Sequence, residues 1–271
     1  MNKYHSPKIY NKSSEQMTEI ENDTVHLVIT SPPYNAGIDY EGYNDTQVWS
    51  AYIKMISQVF SECFRVLVPG GRIAINCANL GRNPYFPLRS LLEACLLKSD
   101  FDLMGEIIWE KTWGTDSHAW GSYKKPTRPA IRDVHEYILL ASKGRNPITN
   151  DCEGEITLEK NEFAKSTLSI WKLNPSKDRN GKHPAPFPEA IPRRLIRLFT
   201  FTNQIVLDPF AGSGTTLKVA GESKRRSIGY EISKSYYDKF LMRLLKSGIQ
   251  SNLSDYYINL FENTKEPVYN K

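Results

Sequence analysis

The residues best suited to chemistry fall in two short segments, one near each end of the chain. Ser31-Pro32-Pro33-Tyr34 follows the apolar run from His26 to Thr30, and Asp208-Pro209-Phe210-Ala211-Gly212-Ser213-Gly214-Thr215-Thr216 follows the run from Gln204 to Leu207. The first segment offers a hydroxyl, a backbone carbonyl and an aromatic face within four residues. Its two prolines remove two backbone donors and stiffen the loop, so that the Pro32 carbonyl can face a substrate as an acceptor. The second segment sets an acidic residue at a strand's carboxyl end, where α/β sheets place ligands. Gly212 and Gly214 allow a tight turn and a close approach of backbone to ligand. About 20 residues further on, Glu231 ends another strand and is placed to accept hydrogen bonds from a ribose. Two other nucleotide loops are excluded by spacing. Lys218 follows Thr215-Thr216-Leu217 rather than a glycine, and Leu217 stands where a GxGxxG loop needs its third glycine.

The elements that must carry these segments alternate in type. His26 to Thr30 reads as a buried strand stopped by the prolines. From Trp49 to Leu67, Tyr52, Ile56, Val59, Phe60, Cys63 and Leu67 recur at helical steps, and Pro69-Gly70-Gly71 ends that helix. Strands are expected at 72–76, 106–109, 136–140, 204–207 and 227–230. Helices are expected near 88–97, 191–201 and 215–222, with a last one opened by Ser233. This alternation predicts an α/β fold, a mostly parallel sheet with helices on both faces.

At 271 residues the chain is long enough for a single domain spanning 1–271. A net charge of +5 permits a nucleic-acid partner without demanding one. The four cysteines show neither CxxC spacing nor a histidine partner pattern, which argues against a disulfide framework or a metal site and suits a reducing cytoplasm. No apolar run is long enough for a membrane span.

Together, the segment from Asp208 to Thr216 and Ser31-Pro32-Pro33-Tyr34 resemble the cofactor and catalytic motifs of the DNA amino-methyltransferases. His183-Pro184-Ala185-Pro186-Phe187-Pro188 resembles the stretch that closes over the methionine part of the cofactor in that family. The catalytic tetrapeptide comes first and the cofactor motif last, the order of the family's β class, a circular permutation of one sheet. The resemblance spans nearly the whole chain and is weakest across 111–133 and 145–170.

It implies a Rossmann-like S-adenosylmethionine-dependent methyltransferase fold. It implies that Asp208, Pro209, Phe210, Ala211, Gly212, Ser213, Gly214, Thr215, Thr216, Glu231, Pro186 and Phe187 surround S-adenosylmethionine. Ser31 and Pro32 would bind the target amino group and Tyr34 would stack on the base, with Pro33 completing the loop. Serine in the first position is the family's usual mark of N4-cytosine enzymes. The implied activity is therefore methyl transfer to N4 of a flipped cytosine, with N6-adenine and a DNA-binding relative without catalysis as the alternatives. A bacterial restriction–modification setting, a cognate endonuclease and a homodimer are also implied. The chain departs from the family at His26, where many members carry Asp, and at Lys12-Ser13, where many carry Gly-Asp.

An exocyclic amino nitrogen is a poor nucleophile because its lone pair is delocalised into the ring. Acceptors aimed at its protons favour the tetrahedral geometry that attack requires. No covalent link to the base is needed, and no cysteine here follows a proline, as C5-cytosine chemistry would require. For double-stranded DNA, the candidate contacts are Trp113, Trp120, Lys124, Lys125, Arg128 and Arg132, in a stretch that mixes basic and aromatic residues. The same composition fits a solvated loop with its aromatics against the core. The polar stretch 145–182, with Lys172, Lys177, Arg179 and Lys182, is the second candidate recognition insertion; Arg193, Arg194 and Arg197 read as a solvated helix face.

Overall fold

Alternation along the central strands, interrupted in β2 by a register shift between Val25 and Leu27, assigns each residue to one of two cores. In β2 (Val25–Thr30), Val25 and Val28 pack into one core while Leu27 and Ile29 pack into the other. In β3 (Leu67–Cys77), Ile73 and Ile75 face the first core and Ala74 the second. Sheets buried on both faces are the signature of helices on both sides. Helix α1 (Trp49–Val66) and helix α2 (Leu88–Lys98) cover the first face, with Tyr52, Ile56, Phe60, Leu92 and Leu96 fully buried. The second face is closed by residues from 190 to 222, described below.

The computed structural model describes residues 7–37, 45–81, 84–112, 131, 133–145, 154–175 and 187–246, the last helix in backbone only after residue 240. The remaining elements are β1 (Lys8–Tyr10), β4 (Asp102–Lys111), β5 (His135–Ser142), α3 (Lys160–Ser166) and β6 (Ile170–Leu173). They are followed by α4 (Ala190–Phe199), β7 (Ile205–Asp208), α5 (Thr215–Glu222), β8 (Arg226–Tyr230) and α6 (Lys234–Lys246). Ile191, Leu195 and Ile196 of α4 and Val219 and Ala220 of α5 pack the second core. The eight strands form one sheet in the order β1-β8-β7-β2-β3-β5-β4-β6. All neighbours are parallel except β3–β5 and β4–β5, because β5 runs against the rest. This is the expected α/β architecture, a mostly parallel sheet with helices on both faces. Among the described residues, no helix is long and apolar enough to cross a membrane.

Two differences from the sequence reading stand out. Pro69-Gly70-Gly71 does not form a loop after α1; β3 starts at Leu67, with Gly70 at φ +77° in a kinked strand that exchanges hydrogen bonds with Lys143. Within the polar stretch 145–182, residues 160–173 form α3 and β6. Trp171 is buried in the second core and Lys172 pairs with Glu110 on β4, so this part of the stretch is regular helix and strand. Lys177, Arg179 and Lys182 lie outside the described residues.

Candidate active site

Strands β2 and β7 lie side by side, with Leu27 opposite Val206 and Val28 opposite Leu207. From β2 the chain proceeds to β3 on one side, and from β7 to β8 on the other. Such a switch of direction opens a crevice at the carboxyl edge of the sheet. Thr30 and Asp208 end the two strands there, and the Thr30 hydroxyl donates to Asp208 Oδ1 at 2.7 Å. The same oxygen accepts the Phe210 N–H at 3.1 Å, shaping the turn that follows. Complete burial pushes the Asp208 carboxyl up to about 6, against partial relief from these donors.

The crevice holds a cavity of about 500 Å³. Ser31, Pro32, Pro33 and Tyr34 form one part of its wall. Asp208, Pro209, Phe210, Ala211, Gly212, Ser213, Thr215, Glu231 and Phe187 form the other. Gly214 and Thr216 of the same motif stand behind the wall. Gly214 caps α5 at φ +76°, and a Cβ there would come within 1.9 Å of the Phe240 ring. Pro186 lies outside the described residues, as do Trp113, Trp120, Lys124, Lys125, Arg128 and Arg132.

Glu231 organises the glycine-rich loop. Its Oε2 accepts the Gly212 N–H at 2.8 Å and its Oε1 the Ser233 N–H at 2.7 Å. Burial raises its carboxyl above the usual range. Each oxygen keeps a lone pair for a further donor. Lys12 and Ser13, the departure noted in the sequence, also line the cavity; Lys12 pairs with Glu19 at 2.6 Å, and Glu19 accepts from the Tyr230 hydroxyl. His26, the other departure, accepts the Ile205 N–H on the β2–β7 seam at 3.4 Å, and burial lowers its pKa.

The tetrapeptide loop is held from behind by residues that sequence spacing does not reveal. Tyr52 on α1 donates its hydroxyl to the Pro33 carbonyl at 2.8 Å. Asn35 takes a left-handed conformation, and the buried Asp45 carboxylate accepts the Asn35 and Ala36 N–H groups at 2.8 and 2.9 Å. The Asn35 side chain brackets the Gln47 backbone with two more bonds. On the other flank the Tyr34 hydroxyl meets Asn76 and Glu136, near the sheet-edge ends of β3 and β5. Glu136 is buried and pairs with Lys111 at the end of β4 at 2.6 Å. Of this group, Tyr52 lies in the helical repeat and Asn76 and Glu136 in expected strands, and nothing in the spacing marks them for the site. The thiols of Cys63, Cys77 and Cys95 are buried and raised by burial, so none is a ready nucleophile.

Acceptors, an aromatic ring and a glycine-rich loop with one buried and one half-buried carboxylate thus meet in one cavity. The curated type II methyltransferase M.MjaI of Methanocaldococcus jannaschii is 33% identical over 266 residues, covering 84% of this chain and 88% of that protein. TTHA0409 of Thermus thermophilus, solved in complex with S-adenosyl-L-methionine, superposes with a TM-score of 0.71 at 29% identity, over 89% and 94% of the two chains. PvuII DNA methyltransferase, described as cytosine-N4-specific, has a TM-score of 0.68 at 21% identity over 95% and 94%, a likeness of fold. Residues 25–242 match the DNA methylase family of N6 and N4 methyltransferases, and the chain belongs to that family.

Proposed function

We propose that this DNA methyltransferase transfers a methyl group to the exocyclic N4 amino group of a cytosine flipped out of duplex DNA. The observation that supports cytosine is Ser31 in the first position of the tetrapeptide, on the wall of the cavity that Asp208 and Glu231 share.

The cofactor is S-adenosylmethionine, which supplies an electrophilic methyl group on a sulfonium centre. The cavity fits it. Gly212 brings bare backbone to the wall, Phe187 and Phe210 offer apolar surface, and Glu231 retains acceptor capacity for ribose hydroxyls. Asp208 fixes the turn on which these groups stand.

On the substrate side, Ser31 Oγ and the Pro32 carbonyl accept the two amino protons and draw the nitrogen toward the geometry of attack. The Pro33 carbonyl is already occupied by Tyr52, which leaves that of Pro32 for the substrate. The Tyr34 ring stacks on the extruded base, offsetting an unstacking cost of a few kcal/mol. Trp113, Trp120, Lys124, Lys125, Arg128 and Arg132 contact the duplex. In support, the residues flanking their segment meet at the cavity's edge of the sheet, where the Lys111 N–H donates to the Val134 carbonyl. The setting we infer is a type II restriction–modification pair with a cognate endonuclease, as the name of M.MjaI suggests.

The test is incubation with mixed-sequence duplex DNA and tritiated S-adenosylmethionine, followed by digestion to nucleosides. Label in N4-methylcytosine is the expected result. Label in N6-methyladenine overturns the target base and retains the rest, and absence of label from every base overturns the reading.

A further inference from the structure

Serine is an ambiguous group for binding an amine, because its hydroxyl can present either a lone pair or a proton. An amino group needs the lone pair. Aspartate in that position would be an acceptor in any orientation, whereas Ser31 must be told which way to point. The hydrogen-bond chain behind it supplies the instruction.

Ser31 Oγ lies 3.3 Å from Tyr34 Oη, which lies 3.5 Å from Glu136 Oε2. Asn76 Nδ2 donates to Glu136 Oε2 at 2.6 Å and lies 3.4 Å from Tyr34 Oη. Lys111 Nζ donates to the other carboxylate oxygen at 2.6 Å. Three of these groups have fixed polarity. The carboxylate only accepts, and the Asn76 and Lys111 nitrogens only donate. Tyr34 has one proton, which goes to Glu136. Its oxygen then accepts, and the Ser31 proton goes to Tyr34 Oη. The lone pairs of Ser31 Oγ are left for the substrate.

We propose that Glu136 is a positioning residue for methyl transfer: its buried carboxylate sets the polarity of the Glu136–Tyr34–Ser31 chain and so makes Ser31 an acceptor for the target amino group. This rests on the functional reading above.

Glu136→Gln keeps the shape and reverses the polarity. Lys111 takes the only carbonyl oxygen, the Asn76 amide turns its oxygen toward the new NH₂, and the other NH₂ proton faces Tyr34. The Tyr34 proton turns to Ser31, and the Ser31 proton turns to the substrate. Tyr34→Phe keeps the ring for stacking and cuts the chain.

The experiment measures kcat and KM for label transfer into duplex DNA by the wild type, Glu136→Gln, Tyr34→Phe and the double variant, with thermal melts of each. Each single variant is expected to lose roughly tenfold or more in kcat, with both KM values within about twofold of wild type and the melting temperature unchanged. The double variant is expected to be no slower than the worse single one, since both break one chain. Wild-type kcat in Tyr34→Phe overturns the proposal even where Glu136→Gln fails to fold. Losses that multiply in the double variant, or a change confined to KM or stability, also overturn it. An inactive wild type overturns the functional reading together with this one, whereas an active wild type with unaffected variants overturns only the role of Glu136.

Discussion

Thr30 and Asp208 stand 178 residues apart in sequence, and the Thr30 hydroxyl donates to the Asp208 carboxylate across 2.7 Å of buried space. One residue precedes the Ser31 tetrapeptide and the other opens the glycine-rich loop. Their bond ties the tetrapeptide half of the cavity to the glycine-rich half, and it does so with a carboxyl group that burial makes reluctant to ionise.

That reluctance gives a pH dependence. The folded Asp208 titrates near 6, above its ordinary 3.8, so the folded chain holds a proton that the unfolded chain has released between those values. Its contribution to stability is complete below about pH 4 and is lost as pH rises through 6. Asp208→Asn, which keeps an oxygen for Thr30, is expected to be more stable than wild type at pH 7.5 by on the order of 1–3 kcal/mol, with the gap closed at pH 4. Denaturant melts of the cofactor-free protein at both pH values check this. Cofactor titration is expected to show weaker binding in the same variant.

Asp45 holds the turn after Tyr34 through two backbone N–H groups. Asp45→Ala leaves both without their acceptor and frees the loop proposed to carry the substrate's acceptors. Turnover is expected to fall roughly tenfold, because small losses of alignment are costly at a reacting centre. Dissociation of S-adenosylmethionine, measured by calorimetry, is expected to change little.

Gly214 is required by both conformation and space. Alanine there would hold φ +76° and press its Cβ into the Phe240 ring. Gly214→Ala is expected to cost roughly 2–3 kcal/mol in denaturant unfolding, combining left-handed strain with overpacking. Cofactor affinity falls with it, since the start of α5 and the loop before it must shift. A variant as stable as wild type would show that Phe240 yields readily.

The two motifs are legible because each is a local signal, a strand ended by prolines or by an acidic residue and glycines. Helix α1 and helix α5 are legible for the same reason, since helical periodicity is written within a few turns. Lys8–Tyr10 escapes a sequence reading because three residues carry no period, and β1 exists only by pairing with β8. Ile170–Leu173 alternates correctly, with Trp171 inward and Ile170 outward, but four residues inside a polar stretch do not announce a strand. The reversed direction of β5 leaves no trace in its own composition. Asn76, Glu136, Tyr52 and Asp45 reach the site through the path of the sheet and α1, which no spacing rule contains.

The seam between β2 and β7 also sets an order of events at the ribosome. At about 5–20 residues per second, β2 and β3 emerge early and can pair, while β7 is among the last strands to be made. Until then one edge of β2, at Leu27 and Val28, waits without its neighbour, the kind of apolar edge that invites wrong partners. Insertion of β7 closes that edge and creates the cavity in the same act. A chain interrupted before Asp208 is thus left with an apolar strand edge uncovered and only half a cavity wall.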